Sequence, residues 1–152
     1  MKVYCVRIAV LLSLSIVFAA SLYAAGKTKP TTCRQCGMKI TEQDRKFEIY
    51  VLEGIEATAF DDIGCAVLWY DNECANRQSA FDSNAFAHDY HSGEPVSAEK
   101  AAYAVCTDLK TPMGYGIAAF KTRATAETYA AGRKECGVRS YNEVMSMKLK
   151  QR

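Results

Sequence analysis

Alternating apolar and polar side chains predict two strands early in the chain. Residues 46–54 (KFEIYVLEG) place Phe47, Ile49 and Val51 on one face and a partly polar set on the other. A period of two is typical of a strand that covers a core on one side. A glycine turn follows, and residues 56–60 then predict the return strand.

A helical period replaces this alternation after residue 60. Asp61 and Asp62 precede it and can cap a helix that runs to about residue 72. Apolar side chains then recur at helical spacing: Ile63, Val67, Tyr70 and Cys74. This stripe is expected to face the core.

The middle of the chain lacks a clear period. Residues 81–91 mix apolar and polar side chains and fit either a strand or a loop. Gly93 and Pro95 predict a turn. His88 and His91 lie in this stretch without the spacing of a metal site, so both are expected to be surface residues.

The second half repeats the order of the first. It predicts a strand over 100–107, a turn over 112–114, a return strand over 115–120, a helix from Thr122 or Thr125 to Gly137, a last strand over 138–141 and a short helix in the tail. Each half gives a strand, a turn, a strand that ends in phenylalanine and a capped helix. We therefore predict an α+β fold in which two similar ββα(β) units form one compact domain.

Residues 1–25 carry the signals of an export leader. Lys2 and Arg7 precede an uncharged run, IAVLLSLSIVFAA, and small residues follow it. We expect a signal peptide cleaved near residue 24 or 25, with membrane attachment only if the leader stays uncleaved. The predicted organisation continues with a linker over 26–32, a folded domain over 33–145 and a basic tail over 146–152. The expected localisation is the periplasm or the cell envelope.

Composition and charge exclude several classes of function. The 152 residues include 49% apolar and 24% charged residues, which is ordinary for a globular protein. The formal net charge is only +2, whereas a nucleic-acid-binding protein needs a basic stripe. The sequence also lacks catalytic triads, phosphate-binding glycine loops and zinc-protease motifs. We therefore expect no nucleic-acid partner.

Seven cysteines are many for a chain of this size. Cys5 lies in the leader, which leaves six: Cys33, Cys36, Cys65, Cys74, Cys106 and Cys136. An even number in an exported protein allows three disulfides, although a domain of this size can bury a core without them. Cys65 would lie in the first helical turn, either as a thiolate or as a buried residue, free or bonded to Cys74 or Cys136. We expect two or four of the last four cysteines to pair.

The Cys33-x-x-Cys36 pair allows several interpretations. A zinc ribbon would need a second such pair, and a c-type haem would need a histidine after Cys36. A thioredoxin-type redox pair would follow a buried strand and not a polar linker. A structural disulfide between the two cysteines is a further interpretation. Met38 favours a soft-metal site, because thiolate and thioether sulfurs suit Cu(I), and Gly37 can take an unusual φ that turns two sulfurs to one side.

Met113 is the second candidate thioether donor. It lies between a proline and a glycine on a turn, where display at the surface competes with the usual role of methionine as core filler. If the two repeats meet at one cleft, Met113 can face Met38. Met145 and Met147 in the tail are expected to be packing residues.

The ordered set of motifs resembles the nitrous oxide reductase accessory protein family (NosL). The motifs are Cys-x-x-Cys-Gly-Met over 33–38, Phe-Asp-Asp-x-Gly-Cys over 60–65 and Thr-Pro-Met-Gly-x-Gly-x-x-Ala-Phe over 111–120. The resemblance implies a metal-binding domain over 33–145 with a topology like that of organomercurial lyase. It also implies a chaperone that carries Cu(I) toward nitrous oxide reductase, with soft ligands from Cys33 or Cys36, Met38 and Met113.

We therefore predict a protein that is not an enzyme and holds one Cu(I) through Cys33, Cys36, Met38 and Met113. It would pass the ion by ligand exchange to a copper-receiving enzyme or a copper transporter complex of the cell envelope. The alternatives are an exported thiol-disulfide oxidoreductase that uses the Cys-x-x-Cys pair and a disulfide-stapled interaction domain without metal. Zn(II) is expected to bind much more weakly than Cu(I), since thioethers are poor zinc ligands.

Overall fold

Strands and helices are interspersed along residues 30–54 and 56–151, the part of the chain that the computed structural model describes. In chain order they are β1 (Ile49–Glu53), β2 (Glu56–Phe60), α1 (Ile63–Asp71), α2 (Ala75–Asn84), β3 (Ala85–His88), β4 (Pro95–Ser97), β5 (Ala102–Cys106), β6 (Ile117–Phe120), α3 (Arg123–Ala130), β7 (Cys136–Arg139) and α4 (Tyr141–Met145). The predicted leader over 1–25 lies outside the described residues. Among the residues described, no helix is long and apolar enough to cross a membrane.

Two antiparallel sheets are built from two copies of one ββαβ unit. The strand orders are β2–β1–β3–β4 and β6–β5–β7. In each copy the first strand lies in the middle, between its hairpin partner and the strand that follows the helices. The predicted α+β fold with two similar ββα(β) units is thus confirmed, and β4 extends the edge of the first sheet.

The alternation of the first hairpin sets which face of it is buried. Ile49 of β1 pairs with Phe60 of β2, and both side chains are fully buried. Tyr50, which points the other way, is half-buried. The buried set joins a large core cluster together with Ile63 of α1 and Tyr103 of β5. The two repeats therefore share one core, which is the condition for a site between them.

The helix α2 contradicts the prediction of a strand or loop from residue 81 onward. Its sequence, ANRQSAFDSN, buries only Phe81, so it carries no apolar stripe that a helical period could reveal. Cys74 precedes this helix and is exposed, so the prediction that it faces the core is wrong. The remaining members of the α1 stripe do pack against the core.

The helix of the second repeat is shorter than its sequence pattern predicts. Thr122 accepts a hydrogen bond from the N–H of Thr125 at 3.2 Å, which confirms the predicted start. The helix ends at Ala130 and not at Gly137, because Gly132 already turns the chain with a φ of +76°. Residues 131–135 therefore form the connection to β7, whose pairing with β5 completes the second sheet.

His88 is buried, against the prediction of a surface residue. It is 6% exposed, and its Nδ1 lies 3.8 Å from Oε2 of the fully buried Glu48. His91, three residues later, is exposed as predicted. Neither histidine belongs to a group of candidate metal ligands among the described residues.

Candidate metal centre

The Cys-x-x-Cys-Gly-Met motif forms a tight loop, here named the thiol loop (residues 33–38). The N–H of Cys33 donates to the carbonyl of Met38 at 2.8 Å, and the N–H of Gly37 donates to the carbonyl of Cys33 at 3.0 Å. Gly37 has a φ of +75°, a conformation that glycine adopts without steric cost. The predicted unusual φ of this glycine is therefore confirmed.

The thiol loop lies against the start of α1. The N–H of Arg34 donates to the carbonyl of Ala59 at 2.8 Å, which brings the loop to the point where β2 leads into the helix. Asp61 follows β2 directly, and Cys65 lies in the first turn of α1. Both residues are 1% exposed, so their polar atoms are directed into the protein.

Three thiols and one carboxylate converge at this junction. One donor atom from each of Cys33, Cys36, Asp61 and Cys65 lies within 4.8 Å of all the others. Cys36 Sγ lies 3.6 Å from both carboxylate oxygens of Asp61. We name these four residues the thiol cluster. Sulfur and carboxylate donors at this spacing are able to hold a metal ion.

Hydrogen bonding within the thiol cluster favours a thiolate at Cys33. The thiol of Cys65 donates a hydrogen bond to Cys33, which lowers the pKa of Cys33 to about 4, and the same contact raises the pKa of Cys65. Burial raises the pKa of Cys36 to about 11 and that of Asp61 to about 6. These shifts favour negative charge on Cys33 and protons on Cys36 and Cys65.

Asp62 fixes the turn that carries Met113. This carboxylate is fully buried, and its Oδ2 accepts hydrogen bonds from Thr111 Oγ1 at 2.5 Å and from the N–H of Met113 at 2.9 Å. Its other oxygen accepts from the N–H of Gly64 at 2.8 Å and so caps α1. A single side chain thus joins the helix of the first repeat to the methionine turn of the second.

Two glycines allow close packing near the methionine turn, Gly64 between the two repeats and Gly116 within the second repeat. A Cβ at Gly64 would lie 2.1 Å from the ring of Tyr115, so only glycine lets this ring lie on α1. Gly116 has a φ of +71°, and a Cβ there would lie 2.2 Å from the carbonyl oxygen of Cys106. This turn also shortens the predicted return strand, which begins at Ile117 and not at residue 115.

The four predicted ligands differ in how deeply they are buried. Cys33 is buried and Cys36 is half-buried, and the structure brings these two thiols together. Met113 is partly buried and packs on the same core cluster as Cys36. Met38 is 50% exposed and lies at the surface, with its backbone N–H donating to the Cys36 thiol. The structure describes these positions without an ion, so the assignment of all four as ligands stays a prediction.

Two members of the thiol cluster were missing from the predicted ligand set. Asp61 was expected only as a helix cap, and Cys65 only as a thiolate or a buried or disulfide-bonded cysteine. The signal that could have found them is the Phe-Asp-Asp-x-Gly-Cys motif, which places Asp61 just before α1 and Cys65 in its first turn. Their approach to Cys33 could not be derived without the fold.

The second sheet holds a disulfide between Cys106 and Cys136, which are register partners on β5 and β7. This agrees with the expectation that two or four of the last four cysteines pair. Cys65 is free and does not bond to Cys74 or Cys136. The disulfide lies next to the turn that carries Met113, because the N–H of Cys106 donates a hydrogen bond to the carbonyl of Gly116 at 2.9 Å.

Alkylation without a reductant is expected to separate two classes of cysteine. In unfolded protein it should label the four cysteines that are free among the described residues, Cys33, Cys36, Cys65 and Cys74. Cys106 and Cys136 should gain label only after reduction, which peptide mass measurement can show. In folded protein Cys74 should react first, because it is the exposed one. Label on Cys106 or Cys136 before reduction would contradict this pairing.

An α+β domain made of two fused repeats, with a thiol-rich cluster where they meet, defines a small candidate metal-binding protein. The model of the NosL family matches residues 26–147 of the chain. The chain therefore belongs to the NosL family, as its motifs predicted. Membership of this family also confirms the prediction that the protein is not an enzyme.

One solved structure is similar to the chain over most of its length. It is the crystal structure of the copper chaperone NosL from Shewanella denitrificans, with 18% sequence identity. The match covers 79% of this chain and 92% of that chain, with a TM-score of 0.48. A comparison with functionally curated proteins gave no match.

Proposed function

We propose that this protein is a metallochaperone whose cargo is Cu(I), held by Cys33, Cys36, Met38 and Met113. Membership of the NosL family supports a role in carrying copper. The donor types support the oxidation state, because thiolate and thioether sulfurs are soft ligands that suit Cu(I). In this proposal copper is a substrate that arrives and leaves, and not a resident cofactor.

The observation that carries the proposal is the double contact of Asp62. Its carboxylate binds Thr111 and the N–H of Met113, while its neighbour Asp61 lies 3.6 Å from the Cys36 thiol. The backbone of the Met113 turn is thereby held at the start of α1, directly after Asp61.

The graded exposure of the four sulfurs suits transfer by ligand exchange. Cys33 is closed to solvent, Cys36 is half-buried and Met38 is half-exposed. A receiving protein can therefore reach the Met38 side of the ion first and displace one donor at a time. Binding of Cu(I) to Cys36 requires loss of its proton, which the raised pKa of Cys36 disfavours without metal.

A thiol-disulfide oxidoreductase is disfavoured by the accessibility of its required nucleophile. Such an enzyme attacks with an exposed thiolate of low pKa. In this protein the thiol whose pKa is lowered, Cys33, is 2% exposed. The more accessible Cys36 has a pKa raised to about 11. A disulfide-stapled interaction domain would not need Cys33 and Cys36 as free thiols, yet both are free.

We further propose that the protein acts in the periplasm or cell envelope and delivers copper to nitrous oxide reductase or to a copper transporter complex there. The family resemblance supports the client, and the export signals of residues 1–25 support the compartment. Attachment to the membrane would follow only from an uncleaved leader. Transfer of bound copper to a metal-free recipient domain tests the client directly.

An anaerobic titration of the reduced protein with Cu(I), against a competing chelator, is the first test of the proposal. We expect one Cu(I) per chain, because the motifs supply one convergent set of sulfur donors. The Cys74→Ser variant is a matched control, since this thiol is free but exposed and outside the cluster. Failure of the unmodified protein to compete with a weak Cu(I) chelator would contradict the proposed function.

A further inference from the structure

Four exposed cationic side chains belong to the segments that meet at the start of α1. One lies in the thiol loop, one directly follows that loop, one precedes the methionine turn (residues 111–114), and one lies in the tail. They are Arg34, Lys39, Lys110 and Lys150, and all are exposed. We name this set the basic rim. None of its members forms an ion pair with a carboxylate of residues 30–54 and 56–151.

Backbone and side-chain contacts bring two of these segments to the same place. The N–H of Arg34 donates to the carbonyl of Ala59 at 2.8 Å, close to the end of β2. Lys110 directly precedes Thr111, whose hydroxyl donates to Oδ2 of Asp62 at 2.5 Å. The cations of the thiol loop and of the methionine turn therefore lie on segments that are both fixed where β2 leads into α1.

The tail adds the fourth cation to this region. The hydroxyl of Tyr115 donates to the carbonyl of Lys150 at 3.2 Å, and the ring of Tyr115 lies against Gly64 in the first turn of α1. The tail is also fixed to the end of α1, because Lys148 forms an ion pair with Asp71. Lys150 is therefore displayed from a segment that is held in place.

Little negative charge opposes the basic rim. Asp61 and Asp62 are buried, and Glu42 and Asp108 already form ion pairs with arginines outside the rim. Glu135 is exposed and lines a small cavity beside the methionine turn. A net positive charge therefore remains on this side of the protein.

Met38 adds an apolar side chain to this charged surface. It is 50% exposed, and among the described residues it is the large apolar side chain that stays exposed. Arg34 and Lys39 lie close to it along the chain, and the N–H of Cys33 closes the loop by donating to the Met38 carbonyl. An apolar centre within a polar rim is the usual arrangement of a protein–protein interface.

We propose that the basic rim and Met38 form a docking surface for a protein that carries aspartates and glutamates around its own acceptor site. Opposite charges would speed the encounter and fix the orientation of the two proteins. Met38 would then be the first side chain of the copper site to meet the partner, and only this use of the surface in copper transfer rests on the proposed function. An anionic membrane is disfavoured, because membrane-surface binding uses a broad apolar face and not a single methionine.

Carbodiimide cross-linking of the metal-free protein to an aspartate-rich peptide tests where acidic groups dock. The peptide has aspartates on both sides of a central Met-Ser-Met segment, and mass mapping identifies the coupled lysines. We expect coupling at Lys39, Lys110 and Lys150. Lys100 and Lys121 are exposed controls, because they flank β5 and β6 at the end of the second sheet opposite the methionine turn. Equal coupling at rim and control lysines would overturn the proposal.

Charge-reversal variants then measure the contribution of the rim. The double variant Arg34→Glu, Lys39→Glu should bind the fluorescein-labelled peptide at least about tenfold more weakly at low salt. Lys100→Glu, Lys121→Glu makes the same change in net charge and should have little effect. The milder Arg34→Gln, Lys39→Gln keeps the test open if the reversed variant does not fold. Equal losses in the rim and control variants would show that only net charge matters and would overturn the surface.

Salt and a second probe identify the class of partner. Binding of the aspartate peptide should weaken as salt is added, and a peptide with lysines in place of the aspartates should not bind. Binding to phosphatidylglycerol vesicles but not to the aspartate peptide would overturn the proposal in favour of a membrane.

The metal-free experiment also separates this inference from the proposed function. Protein that binds the aspartate peptide through the rim but does not bind Cu(I) would contradict the copper function and leave the docking surface standing. Protein that binds Cu(I) but shows no preference for the aspartate peptide over the lysine peptide would overturn the docking surface alone.

Discussion

The Met113→Leu variant is expected to bind Cu(I) at least about tenfold more weakly than the unmodified protein, a difference of about 1.4 kcal/mol. Leucine nearly conserves the volume and apolarity of methionine but removes the sulfur donor. Met113 is partly buried, so the metal-free variant should lose less than about 1.5 kcal/mol of unfolding free energy. Chelator competition gives the affinity, and thermal unfolding of the metal-free protein gives the stability.

Met147→Leu is the matched control for this substitution. Met147 is also partly buried and packs on the same core cluster, but it lies in the tail after α4. Its substitution should leave Cu(I) affinity unchanged. Met38→Leu should act like Met113→Leu, and the double change should abolish tight binding. Equal Cu(I) affinities for Met113→Leu and Met147→Leu would exclude Met113 as a ligand.

The Asp62→Asn variant is expected to unfold at a markedly lower urea concentration. Asp62 is fully buried, and its carboxylate accepts three hydrogen bonds. In asparagine one of the two oxygens is replaced by an NH₂ group, which cannot accept, and the remaining amide oxygen is a weaker acceptor than a carboxylate oxygen. Loss of hydrogen bonds to a buried charged group, with their donors left unpaired, should reduce the unfolding free energy by about 2–3 kcal/mol. The turn of Met113 would also lose its anchor, so Cu(I) affinity should fall.

Asp71→Asn provides the same chemical change at the surface. Asp71 lies at the exposed end of α1 in an ion pair with Lys148. Surface ion pairs contribute about 0–1 kcal/mol, so this variant should stay close to the unmodified protein. Similar urea midpoints for Asp62→Asn and Asp71→Asn would show that the Asp62 contacts do not hold the two repeats together.

Local side-chain patterns predicted most of the fold. The alternation around Ile49 gave the first hairpin, and the spacing of Ile63 and Val67 gave α1, because both elements bury one face. The helix α2 was not predicted, because it buries only Phe81 and therefore shows no apolar stripe in the sequence. The end of α3 was misplaced because the sequence contains two glycines, Gly132 and Gly137, either of which could end a helix.

The candidate site, like the fold, was predicted from the sequence only in part. The sequence by itself determined that Cys33 and Cys36 share one loop, since only two residues lie between them, and that glycine at 37 turns that loop. The motif order also determined the NosL family, because the three motifs form one ordered set.

Only the tertiary structure decided which residues meet. Cys65 lies 32 positions beyond Cys33, and Met113 lies 51 positions beyond Asp62, yet the fold brings each pair together. It also decided that Cys65 is a free thiol while Cys106 and Cys136 pair. Contacts between residues so distant along the chain depend on how the sheets and α1 pack around their shared core. No local period or spacing encodes that packing.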